Sequence, residues 1–444
     1  MPKQPHWSFL SCRRNSSSNG ERHDEVGNDP WRSNYLSRSK RTVLSDKWSP
    51  ASPSYLHLDA QEHLPLTRKV RVSDAELIYR ACNASKEIHG KRLLPTPSTA
   101  WDHKTFSGFT MLSRRMGGED LEVLTTGEVA CELNDVEALL YSHTETEYNA
   151  GAGTFWGDQF IYGSLVHEVQ FPDESPNFDP NWAEKGASRQ IVRLTAEDQM
   201  AVRTASFAHS RTFARNEEWC FLDHFRPHLV FPSPLSNSLV DASEESSGFS
   251  IVMTSLPESE LLAGKMKKEC VVQLHGIVAA YVVQRLPPTV GCRDPRVRVS
   301  FHATFTASNN LPEGYADSSI VSSRLLSLAK SLHRLPTLVQ QRKRSYSQST
   351  IQCSYSSRSG QEQWETQVAS SSRCVACTKR LRMKHLIAPT RRSKRCQICM
   401  YRACASCWSN ESVETFGGHT TRMVVCRRCH ENFGTREYAH IYVT

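Results

Sequence analysis

The stretch Cys396-Gln-Ile-Cys-Met-Tyr-Arg-Ala-Cys-Ala-Ser-Cys407 contains two Cys-x-x-Cys pairs separated by four residues. A further pair lies 18 residues away on each side, so that four pairs stand in line: Cys374/Cys377, Cys396/Cys399, Cys404/Cys407 and Cys426/Cys429. A two-residue spacer lets both thiolates of a pair face one ion, and structural Zn²⁺ takes four ligands in a tetrahedron. The sequence therefore predicts two structural zinc ions in closed four-cysteine sites, with no open position for a reacting water.

The short central gap favours one assignment of the four cysteine pairs to the two sites. The second and third pairs are too close in sequence to surround one ion without a very tight loop. We therefore expect a cross-brace, in which the first and third pairs hold one ion and the second and fourth hold the other. Sequential pairing, first with second and third with fourth, also gives two four-cysteine sites and remains open from the sequence alone.

Length and composition limit the classes to which the chain can belong. A chain of 444 residues is expected to form two or three folded units, and its mean hydropathy of −0.50 predicts that part of it is tail or linker. The start, Met1-Pro-Lys-Gln-Pro-His-Trp7, lacks an apolar run of signal-peptide length, and no apolar run is long enough to span a membrane. We expect a cytoplasmic protein, in which 15 cysteines indicate metal chemistry rather than a disulfide scaffold.

Charge and serine content divide the chain into four segments. Residues 371–444 hold 14 Lys/Arg against 4 Asp/Glu, whereas the whole chain carries +8. Residues 1–60 contain 12 serines, and residues 345–372 contain 10. The expected organisation is a disordered tail over 1–60, a folded segment over 61–344, a linker over 345–372 and the cysteine-rich segment over 373–444.

The segment 61–344 has the pattern of an α+β domain. Ser73-Asp-Ala-Glu76 predicts a helix start, and a series of strands follows. In Arg296–Ser308 apolar and polar residues alternate, so that one face should lie in the core and the other, including His302, at the surface. Gly151-Ala-Gly153 is expected to form a turn, and Phe155–Phe171 a strand. A leucine-rich stripe from Val321 to Leu335 predicts an amphipathic helix that ends before Pro336.

This order of elements, closing with a long helix, resembles the START lipid-transfer domain. The resemblance implies a helix-grip fold, a curved antiparallel sheet wrapped around a C-terminal helix. It also implies a cavity between sheet and helix that holds a lipid or another apolar ligand. The whole chain resembles proteins of oomycetes that join a divergent START-like region to a FYVE-type zinc finger.

The cysteine-rich segment resembles the FYVE zinc finger over about residues 364–435, because all eight ligand positions are cysteines and the central gap has four residues. The family carries a basic stretch with two histidines before Cys396, where this chain has Arg391-Arg-Ser-Lys-Arg395. The family's arginine after this cysteine is replaced by Gln397, and its Arg-Val-Cys motif is only loosely matched by Arg422-Met-Val-Val-Cys426. The resemblance thus matches the zinc ligands in full and the phosphoinositide contacts in part.

Basic residues near an anionic leaflet are worth about 1 kcal/mol each, and arginine suits bidentate capture of phosphate. The phosphoinositide contacts expected from the resemblance are Arg391, Arg392, Lys394, Arg395 and Arg422. Just upstream, Leu386 and Ile387 form a short apolar segment before Pro389. In the family a hydrophobic loop at this place enters the bilayer, which makes these two residues the candidates for membrane insertion.

We therefore expect a non-enzymatic adaptor that binds phosphoinositide, and above all phosphatidylinositol 3-phosphate, peripherally on endosomal membranes. The alternative is a RING-like ubiquitin ligase module with a substrate-binding domain, against which stands the lack of a histidine ligand. Nucleic-acid binding is less favoured, because few aromatic residues interleave with the basic ones. The sequence contains no P-loop, no His-Glu-x-x-His and no Gly-x-Ser-x-Gly motif that would indicate catalysis.

Overall fold

The computed structural model describes the two folded segments and parts of the connections between them. The described residues are 68–90, 101–171, 194, 195, 197–209, 214–231, 246–287, 294–308, 310–352, 372–381, 393–414 and 420–433. We call residues 68–352 the body and residues 372–433 the finger, and both belong to one compact unit, Leu64–Thr444. The expected tail over 1–60 lies outside the described residues.

The body consists of five helices and eleven strands in its described part. The helices are α1 Asp74–Gly90, α2 Leu133–Leu140, α3 Glu145–Trp156, α4 Ser318–Lys330 and α5 Leu335–Gln352. The strands are β1 Asp102–Phe106, β2 Phe109–Gly117, β3 Asp120–Val129, β4 Phe160–Tyr162, β5 Leu165–Glu168, β6 Gln199–Phe207, β7 Asn216–Phe231, β8 Ser246–Ser255, β9 Val271–Leu274, β10 Ile277–Arg285 and β11 Val297–Phe305. The predicted α+β class is confirmed.

The eleven strands form one sheet whose order is β1-β2-β3-β11-β10-β8-β7-β6-β4, with β5 paired to β6 and β9 paired to β7. All pairs are antiparallel except β7 and β9, which run parallel with Asn216 opposite Val271. β9 and β10 are separate strands because Gly276, at φ 63°, turns the chain between them.

Helix α4, the 3₁₀ turn Ser331–Arg334 and the start of α5 pack on one face of this sheet, where they bury the predicted apolar stripe. Val321, Leu325, Leu328, Leu332 and Leu335 are all at most 2% exposed and belong to the main core with the inward residues of β3, β10 and β11. Burial of a leucine side chain is worth about 2 kcal/mol, so this stripe is a major part of the core. The helix start is fixed by Asp317, whose Oδ1 accepts from the backbone N–H of Ile320 at 2.8 Å.

The prediction that the helix ends before Pro336 holds for α4, which ends at Lys330, but a second helix that was not predicted follows it. A 3₁₀ turn, Ser331–Arg334, follows α4, and α5 then continues to Gln352, inside the segment assigned to the linker. Proline is tolerated because Pro336 lies in the first turn of α5, where a backbone N–H has no partner within the helix.

The early helices confirm one prediction and correct another. α1 begins at Asp74, with Ser73 Oγ accepting from Glu76 N at 3.3 Å, as the sequence predicts. However, Gly151-Ala-Gly153 is not a turn, and Phe155 does not begin a strand, since both lie in α3. Thr144 caps this helix by accepting from Glu147 N at 3.2 Å. The reciprocal bond from Thr144 N to Glu147 Oε2 completes a capping box.

The outward face of β11 differs from its predicted solvent exposure. The apolar residues of the strand lie in the core as expected, but His302 is only 4% exposed. Its Nε2 lies 2.8 Å from Glu122 Oε1 on β3, and Glu122 also pairs with Arg114 on β2 at 2.6 Å. Arg114 in turn stacks on Trp101 at 4.5 Å. His302 is therefore part of a buried polar layer with Glu122 and Arg114 rather than exposed to solvent.

The finger is built from short strands around the cysteine pairs. β12 Lys394–Arg395 pairs with β13 Arg402–Ala403, and β14 Trp408–Glu414 pairs with β15 Thr420–Cys426. A short helix, α6 Arg427–Phe433, follows directly. The eight cysteines, with Val375, Ala403, Met423 and Val425, make up most of its small core. Metal ligation is expected to supply much of the folding free energy of so small a unit.

Candidate metal centres and basic face of the finger

Two groups of four thiols meet inside the finger. The first group is Cys374, Cys377, Cys404 and Cys407, and the second is Cys396, Cys399, Cys426 and Cys429. In each group the four Sγ atoms all lie within 4.8 Å of one another. The first and third pairs thus share one site and the second and fourth share the other, which is the cross-brace grouping and not the sequential one.

The spacing of the sulfurs fits a tetrahedral ion. Cys377 Sγ lies 3.6 Å from Cys404 Sγ, and Cys399 Sγ lies 3.8 Å from Cys426 Sγ. Four sulfurs bound at about 2.3 Å to one ion would be separated by about 3.8 Å. All eight cysteines are free thiols rather than disulfides. Both groups could therefore hold a soft divalent metal ion.

The backbone of the finger is arranged to support thiolates. Cys404 N donates to Cys374 Sγ, and Cys426 N donates to Cys396 Sγ, each at 3.2 Å. Such bonds orient and tune metal ligands.

Two residues that directly follow Cys-x-x-Cys pairs adopt the left-handed backbone conformation although neither is glycine. Thr378 follows Cys377 with φ 58°, and Met400 follows Cys399 with φ 62°. This region costs a non-glycine residue roughly 1–2 kcal/mol, so the surrounding structure must hold it in place. Thr378 is held by the body, since Asn216 Nδ2 donates to its Oγ1 at 2.8 Å.

Three arginines are exposed on the described strands of the finger. Arg395 on β12 lies directly opposite Arg402 on β13, and both side chains are exposed, as is Arg422 on β15. Within the described ranges none of the three forms an ion pair. Like charges placed opposite each other on a ladder repel, so the pair favours an external anion. Lys394, by contrast, makes a cation–π contact within the finger, with its Nζ 3.8 Å from the centre of the Trp408 ring.

The predicted lipid contacts have different outcomes in the structure. Arg391, Arg392, Leu386 and Ile387 lie outside the described residues. Lys394, Arg395 and Arg422 lie in the finger, on β12 and β15. Arg402 was missed by sequence reasoning, although its position just before Cys404 puts it across a tight hairpin from Arg395.

Gln397 stands where the FYVE resemblance leads us to expect an arginine, and its backbone N–H and its side-chain Oε1 both bond to the backbone of Val424. Its N–H donates to Val424 O at 2.8 Å, and its Oε1 accepts from Val424 N at 2.6 Å. These two bonds tie the turn of the second Cys-x-x-Cys pair to β15.

The finger contacts the body through Arg428, which lies between the ligands Cys426 and Cys429. Its side chain is 3% exposed, and Nη2 lies 3.7 Å from Oε1 of Glu218, a carboxylate with no exposed surface. Burial raises the pKa of Glu218, against the opposing effect of Arg428. No sequence signal indicates this contact, because Glu218 and Arg428 are far apart in the chain.

A small cavity lies in the body between the sheet and helices α2 and α3. Its volume is about 40 Å³, and its lining includes Trp156, Tyr281 and Met253. Arg203 and Asp223 face it as a buried ion pair, with Nε and Oδ2 2.8 Å apart. Burial raises the pKa of Asp223 despite the arginine. The space holds one or two waters and not a lipid, since ligand pockets measure about 300–1,000 Å³.

No family model and no curated protein sequence matches this chain. Solved structures similar to it include a STAR-related lipid transfer protein from Xanthomonas axonopodis, 12% identical over 55% of this chain and 99% of that one, with a TM-score of 0.32. The human StarD13 (DLC2) lipid transfer and protein localization domain is 12% identical over 59% and 96%, with a TM-score of 0.30. Human STARD10 is 10% identical over 54% and 76%, with a TM-score of 0.28. These TM-scores are too low to support an argument about function.

Among the described helices, none combines the length and hydropathy needed to cross a bilayer.

Proposed function

We propose that the finger binds two zinc ions and recruits the chain peripherally to phosphoinositide-bearing membranes, above all those carrying phosphatidylinositol 3-phosphate on endosomes. The observation that carries this proposal is the exposed arginine pair, Arg395 and Arg402, on a frame held by two four-cysteine groups. The chain's resemblance to FYVE fingers supports the same lipid class.

Zinc is the metal that the donor set favours. Soft thiolates in a tetrahedral arrangement select zinc or iron–sulfur sites, and the pairing of Cys-x-x-Cys knuckles in a cross-brace is typical of structural zinc. When bound, each ion would link two distant parts of the finger. All four positions around it are filled by cysteine, so the sites supply structure and leave no position for catalysis.

The two arginines suit a phosphate ligand better than a general negative surface. The guanidinium is a planar fork that donates two parallel hydrogen bonds to phosphate oxygens, whereas lysine acts as a point charge. Cross-strand neighbours have Cβ atoms about 5 Å apart, so one phosphomonoester can bridge both side chains. Arg402 would thus replace part of the charge that the missing histidines and Gln397 leave out.

Flotation with liposomes tests the recruitment directly. The full chain, loaded with zinc, is mixed with neutral vesicles containing about 5% of one anionic lipid and about 0.15 M salt. We expect flotation with phosphatidylinositol 3-phosphate and little with phosphatidylserine at matched charge. Equal flotation with every anionic lipid would reject the headgroup specificity, and no flotation with any would reject the proposal.

We infer as a second candidate function that the body binds an apolar ligand in an enlarged form of the cavity at Trp156 and Tyr281, because the closed cavity is too small for a lipid. The cavity lies between the sheet and helices α2 and α3, and the Arg203–Asp223 pair offers one polar anchor within a mostly apolar lining. A lipid would have to displace side chains, of which partly exposed Trp156 at the end of α3 is the first candidate.

A further inference from the structure

Among the described charged residues of the finger, Arg428 is the most deeply buried, and its partners belong to the body. Nε donates to Ser164 Oγ at 2.9 Å, and Nη2 donates to Thr204 Oγ1 at 2.6 Å and to Gly264 O at 2.7 Å. Nη1 lies 3.4 Å from Ser206 Oγ. We call these residues, together with Glu218, the Arg428 socket. Thr204 and Ser206 lie on β6, Glu218 lies on β7, and Ser164 and Gly264 lie between β4 and β5 and between β8 and β9, respectively.

The socket is fully formed on the side of the body. Glu218 Oε2 accepts from Met266 N at 2.9 Å and from Gln273 Nε2 at 3.0 Å. Contacts within the body alone therefore hold this carboxylate in position. A buried carboxylate is costly unless it is paired, and the positive charge here comes from Arg428. The guanidinium also lies 4.9 Å from the ring of Tyr162.

Position relative to the metal ligands links this contact to metal binding. Cys426 and Cys429 belong to the same four-cysteine group, and Arg428 lies between them in the first turn of α6. Two anchored thiolates, three residues apart, fix the orientation of this turn and therefore the direction of the arginine. Metal in this group is thus expected to hold the arginine in place.

We propose that the finger is a metal-dependent clamp on the body: metal in the second four-cysteine group holds Arg428 in its socket and so stabilises the sheet edge formed by β4, β6 and β7. Loss of metal releases the arginine and leaves Glu218 buried without its counter-charge. This edge of the sheet then opens, while the opposite edge, at β1 and β2, is unaffected.

Independent contacts extend the clamp to both metal groups. Thr378, next to Cys377 of the first group, accepts a hydrogen bond from Asn216 on β7 at 2.8 Å. Tyr401, beside the second group, packs edge-on against Tyr162 of β4 with ring centres 4.8 Å apart. Both groups therefore hold a residue that lies against the same edge of the sheet.

The proposal rests on metal binding by the four-cysteine groups and not on lipid recognition. Its failure can therefore be told apart from failure of membrane recruitment, which flotation measures separately.

Hydrogen exchange of the full chain, with peptides resolved by mass spectrometry, tests the clamp. We compare the zinc-loaded protein with protein stripped by a chelator and then reloaded with zinc. Peptides covering β4 to β7 should exchange about a hundredfold faster after stripping and recover after reloading, as expected when one partner of a buried ion pair is lost. Peptides covering β1 and β2 should not change. Equal exchange of β6 and β7 with and without zinc would overturn the proposal.

Two variants distinguish the effect of the arginine on exchange from the effect of the metal. Arg428→Ala should accelerate exchange in β6 and β7 while zinc content stays at two. Arg427→Ala is the matched control, because the Nη2 of Arg427 donates to Ala376 O and its ion pair is with Glu431, both within the finger. It should leave the body unchanged.

If Arg428→Ala loses zinc, Glu218→Gln decides the question, since it removes the counter-charge from the body side and lies away from the ligands. Unchanged exchange at β6 and β7 in Glu218→Gln would then overturn the clamp.

Discussion

Nε2 of His302 lies 2.8 Å from Oε1 of Glu122, and both side chains are at most 7% exposed. This pair joins β11 to β3 on the face of the sheet opposite the main core. Together with Arg114 on β2 it forms a polar layer whose charges compensate one another.

The Glu122 carboxylate predicts a loss of stability in acid. Its pKa is lowered to about 2, first by the hydrogen bond with His302 and also by Arg114, against an ordinary value of 4.5. A group with a lowered folded-state pKa contributes stability that is complete above pH 4.5 and is lost as the pH falls toward 2. Glu122→Gln should therefore lose less stability than the natural chain between about pH 4.5 and pH 2. Urea unfolding at a series of pH values measures the difference, and parallel curves for the two proteins would contradict it.

The cross-brace predicts how paired cysteine substitutions change metal content. Cys374→Ser with Cys404→Ser removes two ligands of one group, so one zinc ion should remain per chain at saturating zinc. Cys374→Ser with Cys396→Ser damages both groups and should leave none. Zinc is measured by elemental mass spectrometry against protein concentration. One ion retained by the second double variant would instead indicate sequential wiring.

The arginine pair predicts a defined loss of membrane affinity. Arg395→Ala with Arg402→Ala should weaken binding to vesicles with phosphatidylinositol 3-phosphate by roughly thirtyfold, taking about 1 kcal/mol per basic residue. Zinc content should remain at two, since neither residue is a ligand. The control is Arg285→Ala with Arg298→Ala, which removes the same charge from exposed positions of the body. Similar losses in both double variants would show that net charge alone drives binding.

We expect the side chain of Trp156 to close the cavity of the body. Trp156→Ala should lower the free energy of unfolding by about 3 kcal/mol, because its ring packs against Phe160 and Phe207. The enlarged space should take up the apolar dye anilinonaphthalene sulfonate under native conditions about tenfold more tightly than the natural chain. Trp101→Ala, on the other face, is the control. Unchanged dye binding in Trp156→Ala would show that this side chain does not close the cavity.

Local signals in the sequence predict much of the fold and the grouping of the metal ligands. Alternation along Arg296–Ser308 located β11, the stripe from Val321 to Leu335 located α4, and Cys-x-x-Cys spacing located both metal groups. Helix α3 was missed because two glycines interrupt it and its apolar stripe is weak. The Thr144–Glu147 capping box was the signal that could have identified it.

The remaining differences between the predicted and the observed structure depend on contacts between distant segments of the chain. Alternation alone predicts that His302 faces water. In the structure it forms a buried hydrogen bond with Glu122, which lies 180 positions earlier in the chain. A Cys-x-x-Cys knuckle predicts a metal ligand on each side of Arg428 and says nothing of a socket built by residues 164 to 264. No local pattern records which surface of a small domain lies against a larger one.

The chain order of the Arg428 socket has a consequence for biosynthesis. The ribosome releases Glu218 and the rest of the socket well before Arg428, which lies close to the C-terminal end of the described chain. Because domains fold as they emerge, the nascent body passes through a stage in which a buried carboxylate awaits its counter-charge. A premature stop codon between Gln352 and Arg428 would leave the finished polypeptide in that stage permanently, even though every described strand of its large sheet had been made.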